Sequence, residues 1–187
     1  MNKVLKPVAA AALLCLCPVW AGAQVRTDGS LGRPATSLSG PTYAIGEDLG
    51  RRAGNNLFHS FETFRIGSGE TALFTTTTPQ IAHVFSRVTG GEVSTIDGTI
   101  RLQAAAGAPA LYLINPAGVV FGAGAKVDVP GAFHVTTADA VHFPDGSFHA
   151  NPQRASTFSS APPEAFGFLG EQRSAVVLQG AKLSTGN

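Results

Sequence analysis

The sequence predicts an all-β protein in which short strands, joined by tight corners, build a coil of parallel strands. Three observations favour this fold class. Gly, Pro, Thr, Ser and Val dominate the chain after its N-terminal segment, whereas Glu and Lys are sparse. No long segment has apolar residues at helical spacing. From Gly90 onward, short alternating strands follow one another at intervals that are too short for crossover helices.

The N-terminal segment, residues 1–23, has the layout of a secretory signal peptide. Two lysines precede an apolar run over residues 8–16, and the small-residue box Ala21-Gly22-Ala23 follows it. The run is too short to span a bilayer, so a retained membrane anchor is the weaker interpretation. Cleavage before Gln24 leaves a mature chain over residues 24–187, which is long enough for one domain with a real core.

The cysteine and charge content limits the function further. Both cysteines, Cys15 and Cys17, lie in the signal peptide, so the mature chain cannot form a disulfide in an oxidising compartment. Either its core suffices without cross-links, or the chain is threaded unfolded through a pore and cannot carry them. Once the two lysines of the signal are removed, basic and acidic residues nearly balance, and no basic stripe is present. Nucleic acid is therefore not an expected partner.

The most informative stretch is Leu111 to Gly122, in which two alternating apolar runs flank Asn115-Pro116-Ala117-Gly118. Asn115 can accept the amide two residues on, Pro116 presets its φ, and Gly118 suits the exit of a type I turn. Ala117 argues against a type II turn, which needs positive φ at that position. Because a β-hairpin prefers a primed two-residue turn, we expect this corner to carry the chain from one sheet to another.

Three phenylalanines, Phe58, Phe61 and Phe64, are spaced by three, which leaves a helical turn and a bent strand both open. Such close aromatic side chains indicate a buried anchor, at roughly 1.5–3 kcal/mol for each side chain. Residues 81–85 are ambiguous in the same way, and there we favour a strand that runs into Arg87. Other strands are predicted at residues 43–45, 71–78, 96–102, 124–129, 131–135, 139–143, 165–169 and 175–178.

The remaining regions are less regular. Residues 24–40 are small and polar and form either a loose leader or an edge strand that caps one end of the fold. The pair Arg51-Arg52 lies in a turn-rich link and is interpreted as a solvated face. Residues 151–164 are polar and punctuated by Pro, which predicts an exposed loop. Gly180–Ser184 repeats the form of Gly124–Asp128, as expected for a repeated rung of the coil.

The Asn-Pro-x-Gly corner between apolar strands, behind a signal peptide, resembles the secretion domain at the N-terminus of filamentous-haemagglutinin-type exoproteins. These exoproteins are the passengers of bacterial two-partner secretion. The likeness extends from about Tyr43 to Leu178 and is most specific at residues 113–122, which are close to the family's Asn-Pro-Asn-Gly-Ile motif. Ala117 replaces the second Asn of that motif, which keeps a type I turn but removes one side-chain amide. Further support comes from residues 56–61, 85–90 and 133–139.

The resemblance implies a right-handed parallel β-helix with capping and extra-helical β-strands, at the front of a longer exoprotein. It implies export by the general secretory translocon, recognition in the periplasm by the POTRA domains of a cognate outer-membrane β-barrel transporter, and delivery to the surface or medium of a Gram-negative bacterium. It implies neither an enzyme nor a cofactor. The residues expected to act in transporter recognition or in folding are Asn115, Pro116, Gly118, Asn56, Phe58, Phe61 and Arg87.

A surface adhesin that binds glycans and a polysaccharide-degrading enzyme are the alternative functions for a β-helix. The enzyme needs clustered carboxylates, whereas this chain has isolated aspartates in separate turns and strands, at residues 97, 128, 139 and 145. The histidines are dispersed as well. His142 and His149 straddle a Pro-Asp-Gly turn, where they are expected to be surface or packed residues rather than ligands. The sequence therefore predicts neither catalysis nor a metal site.

Overall fold

The computed structural model describes residues 24–170, 173–181 and 183, and this part of the chain is all-β. Its one helical element is a 3₁₀ turn at Glu47–Leu49. The predicted signal peptide and two residues of the predicted repeat, Lys182 and Ser184, lie outside the described residues. The strands in chain order are β1 (Val25–Thr27), β2 (Thr42–Ile45), β3 (Arg51–Ala53), β4 (Asn56–Phe64), β5 (Thr71–Thr75), β6 (His83–Val88), β7 (Ser94–Ile96), β8 (Thr99–Gln103), β9 (Ala110–Ile114), β10 (Val119–Phe121), β11 (Lys126–Asp128), β12 (Phe133–Thr136), β13 (Ala140–Phe143), β14 (Gly146–His149), β15 (Ala165–Gly167) and β16 (Val176–Leu178).

Parallel pairing winds eleven of these strands into a β-helix of about three turns. Each turn crosses three faces, which are sheet A (β4, β6, β9, β12), sheet C (β7, β10, β16) and sheet B (β2, β5, β8, β11). Asn56 pairs with His83 and His83 in turn pairs with Ala110, so successive coils repeat at the same spacing along sheet A. The predicted fold class, a parallel β-helix, is confirmed.

The interior of the β-helix is an apolar core that receives side chains from all three sheets. At roughly 1.5–3 kcal/mol for each large side chain removed from water, this core is the main source of stability. Its largest fully buried members are Phe61, Phe64, Phe74, Phe121, Ile45, Leu57, Ile66, Ile96 and Ile100.

A β-bulge in β4 explains the spacing of the three phenylalanines. Where β1 pairs with β4, the register slips by one residue at Glu62. The extra residue places Phe61 and Phe64 both in the interior core, whereas Phe58 packs on the opposite face of sheet A. The segment is therefore a bent strand, and residues 83–88 form the strand that we favoured for the second ambiguous stretch.

A small antiparallel sheet lies outside the coils and packs against sheet A. This sheet D has the order β14-β13-β15. It comes from an excursion of the chain between β12 and β16, after which β16 returns to pair in parallel with β10 on sheet C. The strands β4, β6 and β9 of sheet A are thus buried on both faces. The second core, between sheets A and D, contains Phe58, Phe85, Tyr112, Ile114, Val141, Phe143, Phe148 and Ala150.

The strand pairing and the second core test three local predictions, which concern residues 24–40, the pair Arg51-Arg52 and residues 151–164. Residues 24–40 contain β1, which pairs antiparallel with β4, so the capping edge strand is the correct alternative. Arg51-Arg52 is exposed but belongs to strand β3 rather than to a plain link, because its backbone pairs with β4. The exposed loop expected at residues 151–164 is wrong in part. Ser159 is buried and Phe158 packs edge-on against Phe58, since this segment helps to close the second core.

His59 of β4 is a polar residue enclosed in the interior core. Its ring centroid lies 5.7 Å from that of Phe74 and 6.1 Å from that of Phe61. Neither ring nitrogen has a hydrogen-bond partner among the described residues. Burial lowers the pKa of His59 from its ordinary 6.5 to about 4, although the carboxylate of Glu47 opposes the shift. The folded domain therefore holds this imidazole neutral.

We expect the free energy of unfolding to fall as the pH drops from about 6.5 to about 4. In that window the unfolded chain binds a proton at His59 that the folded domain does not, and below both pKa values the loss reaches about 3 kcal/mol. Urea denaturation of residues 24–187 and of their His59→Leu variant, at several pH values across the window, measures the effect. The variant should lose less stability in acid, and an identical pH dependence of the two proteins would contradict the assignment.

Candidate functional site

The corner at residues 115–118 carries the chain from sheet A to sheet C, between the end of β9 and the start of β10. The amide of Gly118 donates to the carbonyl of Asn115 at 3.0 Å, and the amide of Ala117 donates to Asn115 Oδ1 at 2.9 Å. No described residue other than glycine has positive φ, which excludes a type II turn at Ala117. The predicted turn, its cap by Asn115 and the change of sheet are confirmed.

The side chain of Asn115 also binds the preceding coil. Its Nδ2 donates to the carbonyl of Glu92 and to Ser94 Oγ, both at 2.9 Å. The residue is 1% exposed, and both its amide nitrogen and its amide oxygen have partners. Asn115 therefore fastens the corner of one coil to the corner of the coil before it.

Gly118 and Pro116 contribute to the corner in different ways. Gly118 has φ +114°, and a Cβ atom added there would lie 3.2 Å from the carbonyl oxygen of Ala175. Pro116 is half-buried and borders an open cavity of about 300 Å³, which is also lined by Thr89 and Asn151. Gly118 is thus required by geometry, whereas Pro116 faces a cavity between the corner and residues 150–152.

Arg87, on β6, lies under the outer sheet and is 2% exposed. Its Nε donates to Ser60 Oγ at 2.7 Å. Its two terminal nitrogens donate to Ser30 Oγ at 2.8 Å and to the carbonyl of His149 at 2.5 Å. The guanidinium also lies over the ring of Phe148, 4.7 Å from its centroid. One cation therefore contacts residues 24–40, which form the N-terminal cap, the first coil, and sheet D, which is the outer sheet.

Asp28 supplies the negative charge of this network. Its carboxylate accepts hydrogen bonds from Ser60 Oγ at 2.6 Å, from Ser30 Oγ at 2.7 Å and from Thr89 Oγ1 at 2.9 Å. The hydroxyls of Ser30 and Ser60 bridge Asp28 to Arg87. Burial alone would raise the pKa of Asp28, but these hydrogen bonds outweigh it and hold the pKa below its ordinary value. Burial lowers the pKa of Arg87, and the charge of Asp28 opposes that shift.

One comparison with known proteins decides the family. The family model described as TPS secretion domain, where TPS stands for two-partner secretion, matches residues 23–187. The chain belongs to this family. A search of curated proteins found no match. The TPS secretion domain is the N-terminal domain of an exoprotein secreted by a Gram-negative bacterium, and it implies a partner transporter of two-partner secretion. It is a secretion-type family and not an enzyme family.

The other predicted residues of the TPS secretion domain lie along β4. Asn56 is fully buried, and its Nδ2 donates to the carbonyls of Ser159 at 2.9 Å and Ala161 at 2.7 Å. Phe58 belongs to the second core and Phe61 to the interior core. The side chains of Asn56, Phe58 and Phe61 are therefore all buried in the folded domain.

The structure brings the predicted residues together in three places and not in a single site. Asn56, Phe58 and Arg87 share the outer face of sheet A, Phe61 is inside the coils, and Asn115–Gly118 forms the corner after β9. Sequence reasoning missed the residues around Arg87, namely Asp28, Ser30 and Ser60. In the sequence, the only local signal for this network is the order Asp-Gly-Ser at residues 28–30, which suits an Asx turn.

Neither a metal site nor a membrane-spanning helix is present in the parts of the chain that the structure describes. No group of three or more His, Cys, Asp or Glu side chains there is placed to hold a metal ion. His142 pairs with Ser147 and His149 with Ala140, so the two histidines do not face each other across their hairpin. No helix within residues 24–170, 173–181 and 183 is long and apolar enough to cross a membrane.

Changing Gly118 to Val should lower the free energy of unfolding by roughly 1–3 kcal/mol, because a branched residue cannot adopt φ +114° without strain. Urea denaturation of the mature domain measures the loss. Ala117→Val is the matched control, since it adds the same kind of side chain to the same corner at a residue without positive φ. Equal stability of the Gly118→Val variant and the wild type would show that this glycine is not required.

Changing Arg87 to Lys should lower the free energy of unfolding by roughly 2–4 kcal/mol, because an ammonium keeps the charge but cannot reproduce the fork of hydrogen bonds. The control is Arg101→Lys, which changes an exposed ion pair between Arg101 and Asp128. The control should cost under about 1 kcal/mol. Chemical denaturation of both variants tests this, and similar losses in the two would contradict a special role for Arg87.

Proposed function

We propose that this TPS secretion domain is exported by the general secretory translocon with residues 1–23 as its signal peptide. The POTRA domains of a cognate outer-membrane β-barrel transporter then recognise the mature domain, residues 24–187, in the periplasm. After transport the domain starts the folding of the β-helix at the cell surface. The family match supports the transporter as partner, and the lack of cysteine in the mature chain is compatible with passage through a pore.

We infer that the transporter binds the chain before the coils form. In the folded domain the backbones of β4, β6 and β9 are paired on both sides within sheet A. An extended chain instead offers unpaired strands, which can add to the edge of a sheet in the transporter's soluble domains. This mode of binding needs no folded site on the secretion domain.

The stacking of the coils supports the proposal that the domain folds after transport. Each sheet A strand pairs in parallel with the strand one coil earlier, so a completed coil presents an edge for the next one. The capping strand β1 pairs with β4 on the side away from β6 and closes the start of the stack. The first coil thereby becomes the template for the coils that follow.

For the corner motif, the buried side-chain amide of Asn115 favours a role in folding over a role in recognition. Its hydrogen bonds to Glu92, Ser94 and Ala117 use both the nitrogen and the oxygen of the amide. A folded domain therefore does not offer this amide to a partner. We propose that Asn115 and Gly118 act by closing the corner, and that Pro116 presets its backbone.

Two measurements on the Asn115→Ala variant test this role. The free energy of unfolding of the mature domain should fall by roughly 2–4 kcal/mol, because buried partners in the adjacent coil lose their hydrogen bonds. Capture of the urea-unfolded mature chain by the immobilised periplasmic domains of the transporter should stay unchanged. Export in cells that carry the transporter should yield less folded domain at the surface.

Asn151→Ala is the matched control. Asn151 is an exposed asparagine on the same cavity, and its Oδ1 accepts only a local amide, that of Gln153, at 2.9 Å. Its loss should cost under about 1 kcal/mol. If Asn115→Ala abolishes capture of the unfolded chain while the folded domain keeps its stability, the motif acts in recognition and the folding role is wrong.

A further inference from the structure

The outer face of sheet A carries one planar ring from each coil. Phe58, Phe85, Tyr112 and His134 occupy paired register positions on β4, β6, β9 and β12. Neighbouring rings in this aromatic ladder are stacked, with centroids 5.1, 4.6 and 4.4 Å apart. An apolar ladder of this length would be exposed to water if the coils stood alone.

Residues 139–167, the outer segment, cover the first three rings of this ladder, Phe58, Phe85 and Tyr112. Phe143 packs edge-on against Phe58 and Phe85, with centroids 6.1 and 5.4 Å away. Phe148 and Phe158 lie 4.9 and 5.3 Å from Phe58. The second core is therefore an interface between the coils and a segment that is not part of them.

Buried polar groups of the first two coils also depend on the outer segment. Arg87 of the second coil donates to the carbonyl of His149. Asn56 of the first coil donates to the carbonyls of Ser159 and Ala161, which lie far along the sequence. Without the outer segment, Asn56 would lose both of these acceptors, and Arg87 would keep only its bonds to Ser60 and Ser30.

The position of the outer segment in the sequence indicates the order in which the coils and this segment fold. It follows β12, the sheet A strand of the last coil, yet it folds back onto β4 and β6 of the first and second coils. The excursion does not lengthen the coil, because β16 pairs directly with β10 after it. The sheet A strands of all coils can thus stack before the outer segment adds to them.

We propose that residues 139–167 are a closing lock, which docks on the aromatic ladder only after the coils have formed and then holds the first two coils in the folded state. For a chain that emerges from its N-terminus, the docking surface is complete before the lock arrives. Once the lock is docked, reopening the first coils requires prior separation of the second core. The proposal concerns the order of folding and does not depend on which segment the transporter binds.

The absence of cysteine from the mature chain allows a direct test by thiol labelling. Ala72→Cys places a thiol in the interior core on β5, at a residue that is 0% exposed. Ala150→Cys places one in the second core, at a residue that is 3% exposed. Each variant of the mature domain is refolded from urea, and short pulses of a thiol reagent at successive times report when each thiol becomes protected.

The thiol of the Ala72→Cys variant should gain protection severalfold faster than the thiol of the Ala150→Cys variant. Simultaneous protection, or earlier protection at position 150, would overturn the proposal. If this prediction fails, the proposed contact with the transporter still stands, because the refolding assay contains no transporter. Capture of the unfolded chain by the transporter tests that contact separately.

Phe148→Ala, added to each cysteine variant, tests the lock at equilibrium. If the coils open only after the lock has separated, Phe148→Ala should speed up labelling of the folded domain at both positions by at least about tenfold, and labelling at position 150 should stay severalfold faster than labelling at position 72. Equal labelling rates at the two positions would show that the outer segment and the coils open as one unit, and an unchanged rate at position 72 would show that the coils open without the lock. Either result contradicts the proposal. Val141→Ala, at a fully buried residue of the same core, replaces Phe148→Ala if that variant does not fold.

Discussion

The attachment of the N-terminal cap and of the outer sheet to the coils depends on the buried guanidinium of Arg87. This guanidinium is fixed on β6 and binds Ser60 of the first coil, Ser30 of the N-terminal cap and the carbonyl of His149 in the outer sheet. A buried cation costs several kcal/mol to remove from water, and it is stable only when its donors have partners. The cap, the coils and the outer sheet therefore satisfy Arg87 together, in one arrangement, and no single layer does so alone.

Burial of sheet A on both faces follows from the same arrangement. Most residues of β4 and β6 are buried in succession, as in parallel sheets covered on two sides. The strands β5 and β8 of sheet B instead alternate between buried and more exposed residues, because only one of their faces meets the core. The cap, the interior core and the outer segment thus all pack or pair with sheet A. At Asn115, directly after β9, the chain turns out of this sheet.

Local chemistry predicted the corner and the coil but not the packing on the outer face. The turn at Asn115 and Gly118 is set by residues within four positions, so its geometry follows from sequence. The shared orientation of Phe61 and Phe64 depends on a bulge at Glu62, which arises where β1 pairs with β4. The partners of Arg87 come from residues far away in sequence, and periodicity contains no signal for contacts of that kind. The loop at 151–164 was misjudged for the same reason.

Hydrogen exchange of the mature domain and its Arg87→Lys variant, resolved by mass spectrometry of peptides, tests most directly whether Arg87 holds the layers together. In the variant, residues 24–40 and 139–167, whose contacts with β4 and β6 are weakened, should exchange earlier than in the wild type, at times at which β8 and β10 are still protected. Loss of protection at the same time along the whole chain, or unchanged exchange in the cap and the outer segment, would contradict the role given to Arg87.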